Sequence, residues 1–242
     1  MYHIGGHRDS NALHTKGSLD VSPWRLSATA DSIFEKSQIR RSQKVGIDPN
    51  KLRLTGENSF LRLGHEEGGE STAQNSHWRI HVSPKGVGHA LFTKSEFTNG
   101  EPRIYADNIA LARWLQEGIM ESMSSDYSGE NILVIEADFW KVGDAMTYWT
   151  EYIESADEKI ALTWYDFDEA FAIANAPEEN PGQPHGLYNV IVPAARAQMT
   201  VNGEAAAGKA FPRDIFGRPG STCCLALSET WLIPPDHEWA KE

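Results

Sequence analysis

From Lys51 to Ile233 apolar residues recur at every second position, in short stretches separated by turn formers. That period fits strands and excludes a helical fold over most of the chain. His77–Val82 is the cleanest case, with Trp78, Ile80 and Val82 on one face and His77, Arg79 and His81 on the other. Lys51–Thr55, Ser59–Leu63, His89–Phe97 and Ile132–Trp140 alternate in the same way, and Gly64–Ser76 reads as a polar, glycine-containing loop. Met146–Glu154, which is also compatible with a helix, and Ile160–Ile173 form a hairpin across Ser155–Glu158. Leu187–Val201 is a long strand ending at Asn202-Gly203, a pair that accepts the positive φ angles of a type I′ turn, so Glu204–Phe211 should pair back. After a loop over Pro212–Ser221, Cys223–Ile233 is the last strand. One helix interrupts the series, capped by Asp107 or Asn108, with Ala112, Leu115, Ile119 and Met123 in its stripe. The fold class is mainly β: an antiparallel β-barrel or strongly bent sheet of about nine or ten strands with one or two helices.

Residues 1–50 are different. Residues 1–24 are rich in Gly, Ser, His and Asn without periodicity, and a short helical pattern follows from Ser27 to Lys44. The chain divides into an N-terminal arm (1–50) and a β-rich domain with a ligand cavity (51–242). Seven Lys/Arg against five Asp/Glu give the arm a charge of +2, so the body holds −14 of the total of −12. A slightly basic arm could dock on an acidic neighbour and build a homodimer, or remain a solvated tail. Net negative charge argues against nucleic acid, whose phosphates need a basic field, and against an anionic membrane surface. No apolar run reaches the length of a membrane-spanning helix, and no basic-then-apolar leader is visible, so the expected compartment is the cytoplasm. Cys223 and Cys224 are the only cysteines, and adjacent strand residues point to opposite faces, which disfavours a disulfide.

Candidate chemistry is sparse. His77 and His81 on a strand lie ~13 Å apart at Cα, too far to share a metal, so no metal site is expected, although His81 could act as an acid or base. Glu136/Asp138 and Asp166/Asp168 share a face pairwise, but opposite an apolar one, which suits solvent. Asp166 differs in having Trp164 beside it on the same side. Glu229 is the one carboxylate at a position where alternation calls for an apolar residue, among Cys223, Leu225, Leu227, Trp231 and Ile233. A buried carboxylate is protonated, paired or functional, and Arg196 and Arg213 are the candidate partners. Phosphate-binding glycine loops and nucleophile-elbow motifs are absent.

Thr163-Trp164-Tyr165-Asp166, the long strand to Asn202-Gly203, and Gly208-Lys209-Ala210-Phe211-Pro212-Arg213-Asp214 together resemble the lipocalin-like barrels of the carotenoid hydratase type. Pro212-Arg213 departs from that family's usual continuation. The resemblance implies an apolar ligand inside a barrel and acid–base addition or elimination of water. The functional expectation is an enzyme, a lyase (hydratase) or isomerase, acting without a cofactor on a small apolar or aromatic molecule. Its catalytic candidates are Glu229, Asp166 and His81, and its substrate-binding candidates Arg213, Tyr188, Trp164 and Tyr148. A non-catalytic binding protein for the same kind of molecule is the alternative.

Overall fold

The computed structural model describes residues 52–129, 131–179, 185–234 and Asp236; the expected arm and its helix lie outside them. Fourteen strands are present among the described residues: β1 (Leu52–Gly64), β2 (Ser71–Val82), β3 (Gly88–Ser95), β4 (Arg103–Ala106), β5 (Val134–Glu136), β6 (Asp138–Gly143), β7 (Tyr148–Glu154), β8 (Lys159–Phe167), β9 (Phe171–Asn175), β10 (Gly186–Val201), β11 (Glu204–Ala205), β12 (Pro212–Ile215), β13 (Arg218–Ser221) and β14 (Cys223–Leu232). A helix, α1, begins at Ile109–Leu115, widens into a π-helical turn at Gln116–Met120 and ends at Glu121–Met123. Among the described residues no helix is long and apolar enough to cross a membrane.

The sheet runs β5-β4-β3-β2-β1-β14-β10-β8-β7-β6 and is antiparallel apart from β4/β5. Its ends meet through the chain itself. β5 pairs with β4 and β6 with β7, and only Ala137 separates β5 from β6, so the sheet closes nearly into a barrel, an architecture compatible with a calycin-like fold. β8 and β9 lie end to end along the same edge of β10, interrupted at Asp168–Ala170. The expected mainly-β class is therefore the observed one.

Alternation sorts the apolar residues into an inner and an outer set. Leu61, Leu91, Tyr105, Trp149, Leu162, Trp164, Met199 and Leu225 come from strands all around the sheet and fill the interior. On the outer face two further clusters lie side by side. α1 covers the first, where Leu111, Ala112, Leu115 and Ile119 pack on Trp78, Ile80, Phe92 and Ile104. Asn108 caps this helix, its Oδ1 accepting from the Leu111 N–H at 3.1 Å, as the sequence leads one to expect. The second cluster joins Phe171, Ile173, Ile191, Cys224 and Ala226 to Ile215 of the β12–β13 hairpin.

Several boundaries differ from the sequence reading. β1 is a single strand where two short ones are expected, and β2 starts at Ser71, well inside the expected loop. β11 is two residues long, although the turn before it forms as expected, with Asn202 and Gly203 at φ 52° and 84°. Pro212–Ser221 is a hairpin rather than a loop. Both cysteines are free and buried, Cys223 toward the interior and Cys224 outward. Burial pushes their thiols up to about 11 and about 12, so both are inert thiols at neutral pH.

Candidate functional site

Ser228 breaks the alternation of β14. It adopts a left-handed backbone, φ 55°, at a point where the ladders to β1 and to β10 both slip. This is the signature of a β-bulge, which inserts one residue and swaps the faces beyond it. Cys223 and Leu225 face the interior, but Glu229 and Trp231 lie on the outer face with Cys224 and Ala226. Strict alternation would point Glu229 into the barrel. The bulge points it outward instead, and it is nonetheless 5% exposed, because the outer face is roofed there.

The roof encloses a cavity of about 360 Å³ between α1 and the β12–β13 hairpin. Trp78, Ser76 and Gln74 of β2 form one side of its floor, opposite Asn58, Phe60 and Arg62 of β1 in register. The other side is built by Ala226, Glu229 and Trp231 of β14 with Leu187, Asn189 and Ile191 of β10. Ile119, Met120 and Met123 overhang from the helix, and Arg213, Ile215 and Phe216 from the hairpin.

Glu229 sits at one end of this floor. Trp231 Nε1 donates to its Oε1 at 2.9 Å and Asn189 Nδ2 to its Oε2 at 3.0 Å. The Asn58 amide donates as well, and is itself oriented by Ser76 Oγ–H, which donates to Asn58 Oδ1 at 2.9 Å. No cation touches Glu229 among the described residues. Burial pushes its carboxyl up to about 7, opposed by the three donors. Two buried polar atoms of the lining have no partner, Asn189 Oδ1 and Trp78 Nε1. Neutral amide and indole groups left bare in an apolar wall are costly, so this end suits a polar group of a ligand.

Of the residues singled out in the sequence, Glu229 and Arg213 line the same cavity. The others lie elsewhere. Arg196, offered as a partner for Glu229, pairs with Asp166 on the surface, and Asp166 turns outward at φ 56° while Trp164 is fully buried in the interior. Tyr188 and Tyr148 are about half exposed, and Tyr188 lies opposite Thr230 on the face of β10 away from Asn189. His81 is exposed and borders a shallow groove with Arg79, His89 and Asp107. His77 is buried in the barrel interior near Glu151, its imidazole held well below the ordinary value by burial and then by the charges of Arg79 and His89. No three His, Cys, Asp or Glu among the described residues converge as metal ligands would.

Asn58, Asn189, Arg62, His185 and Phe216 belong to the site without having stood out in the sequence. Asn189 was open to the test that found Glu229, since Leu187 and Ile191 flank it at two-residue intervals. His185 stacks flat on Trp231 at 3.8 Å and extends the wall behind Glu229.

Comparison with protein-family models, curated proteins and solved structures gave no match.

Proposed function

We propose that this protein is an acid–base enzyme, a lyase of the hydratase type or an isomerase, acting on a small, largely apolar molecule in the cavity between α1 and the β12–β13 hairpin. The carrying observation is Glu229: buried, met only by N–H donors, and poised near neutrality at one polar end of the cavity, beside an apolar strip of Phe60, Ala226 and Ile191. Three donors make the carboxylate an acceptor, which is the form a base needs, and a value near 7 leaves its conjugate acid able to return the proton. Glu229 takes a proton from a C–H of the substrate. It then delivers that proton to another carbon, which is isomerisation, or to a departing hydroxyl, which leaves as water while the C–H electrons form the double bond. Asn189 Oδ1 and Trp78 Nε1 orient the substrate's polar group.

The resemblance of the C-terminal segments to carotenoid hydratase-type barrels supports the same chemistry. It does not extend to the ligand's place, because side chains fill the interior of this barrel. A binding protein using the same cavity is the second reading, favoured by the two unpartnered atoms, which would serve recognition without any proton transfer.

Native mass spectrometry of the purified protein, followed by incubation of any co-purifying molecule in D₂O, separates the two. Catalysis by Glu229 washes deuterium into the ligand or its product. Glu229→Gln is expected to abolish that exchange while holding affinity within about tenfold, or ~1.4 kcal/mol. Exchange that persists in the Gln variant would remove Glu229 from the mechanism.

A further inference from the structure

The cavity has a second pole. Arg62 and Arg213 both line it, at the end remote from Glu229. Along β1, Asn58, Phe60 and Arg62 follow one another on the same face, so Arg62 lies ~13 Å at Cα from the residue that holds Glu229. Arg213 reaches in from the hairpin, its guanidinium 6.0 Å from the centre of the Phe60 ring. Between the poles Phe60, Ala226 and Ile191 give the floor an apolar strip, with Ser76 opposite Phe60.

Neither arginine has a carboxylate partner among the described residues, although the chain carries 34 acidic side chains to 22 basic ones. Arg79, Arg103 and Arg196 each form an ion pair, whereas Arg113 bonds to Gln116 and the Ile132 carbonyl and Arg218 lies over Phe171; Arg62 and Arg213 differ from these in lining one cavity together. Both residues are also open to solvent, and partial burial of the guanidinium, then the like charge of Arg213 at the same cavity, holds Arg62 below its ordinary value. Such a pair is relieved by an anion bound between them, and guanidinium groups match the two oxygens of a carboxylate or phosphate.

We infer that the ligand is an amphipathic anion: its carboxylate or phosphate is held by Arg62 and Arg213, an apolar segment lies over Phe60, Ala226 and Ile191, and the far end reaches Glu229. This rests on the cavity reading above and adds a substrate class to it. The two arginines are binding residues and take no part in proton transfer.

Calorimetric titration of the full chain with octanoate and with 1-octanol, equal in chain length and different in charge, tests the inference. Octanoate is expected to bind one to one and at least tenfold more tightly than octanol, with an affinity that falls as salt rises, while octanol is indifferent to salt. In the Arg62→Gln/Arg213→Gln double variant the preference should vanish and octanol binding should remain. If the double variant fails to fold, each single variant should show part of the same loss. Equal affinities for the two probes would overturn the anionic class and leave the cavity as a site for neutral molecules. Octanoate binding that survives both substitutions, or no binding of either probe, would also overturn it. The D₂O exchange experiment reads Glu229 independently of all three results.

Discussion

Glu229 accepts from three N–H groups and is offered no proton acceptor, so its two protonation states need different surroundings. Asn189 can supply both. Its Nδ2 now donates to the carboxylate while Oδ1 is bare; a half-turn of the amide would present Oδ1 to a carboxylic acid and Nδ2 to the cavity. The raised value also has a consequence for stability. Between the ordinary carboxylate value of 4.5 and about 7 the folded chain keeps a proton that the unfolded chain releases. The stabilisation from this group is complete below pH 4.5 and is lost as pH rises through 7. Glu229→Gln has no such loss, so its melting temperature relative to the wild type is expected to rise between pH 5 and pH 8. Parallel curves across that range would show that Glu229 is not desolvated.

At the level of elements, the site depends on one bulge and one hairpin, and neither was legible in the sequence. Alternation marks Glu229 as the odd carboxylate, but it carries no sign of the extra residue at Ser228, which has an ordinary side chain in a left-handed conformation. The burial of Glu229 was therefore readable and its face was not. The hairpin hides for a related reason: Pro212 and Pro219 lie in its strands, Ile215 is its one buried apolar residue, and Phe216 takes the positive φ of its turn, where Asn or Gly is usual. The Phe216-Gly217 pair, with Asp214 Oδ1 accepting from Gly217 N at 2.8 Å, was the available signal. The helix was legible because cap and stripe agree, except that Met123 ends 53% exposed at the cavity rim. The bulge is testable. A β-branched side chain is disfavoured in the left-handed region, so Ser228→Val should cost about 1–2 kcal/mol in urea denaturation. Ser228→Gly should stay within ~0.5 kcal/mol of the wild type, because conformational relief offsets the added freedom of the unfolded chain. Equal stabilities for the two variants would mean that the bulge relaxes elsewhere.

Across the whole molecule, a polar network bridges the inside of the barrel. Arg79 of β2 reaches Glu151 of β7 at 2.6 Å and Glu57 of β1 at 3.1 Å, and Trp149 Nε1 donates to Glu151 at 2.7 Å. Burial pushes the Glu151 carboxyl up to about 7, and the Arg79 charge opposes the rise. Without Arg79 the value climbs further and the carboxyl keeps its proton, so Arg79→Met should be mild at pH 5, where Glu151 is protonated with or without Arg79, and cost about 1.4 kcal/mol more at pH 8, one pH unit above the value at which the wild type ionises. Denaturation at the two pH values reads this directly, and a deficit independent of pH would assign Arg79 a packing role instead. Closure itself was beyond the sequence, since it depends on β14 lying between β1 and β10 and on a change of partner at Ala137, both non-local. The β12–β13 hairpin shares no ladder with the large sheet and forms a two-stranded sheet of its own. Opening the cavity at the Phe216 end of the hairpin would break no hydrogen bond of the barrel ladder, and Ser221 Oγ, donating to the Ala194 carbonyl of β10 at 2.7 Å, would hold its base, so under the proposed function admission of a ligand and global unfolding would be separate events with separate barriers. Ligand residence time can then be tuned in the hairpin alone, while the barrel sets how long the protein survives.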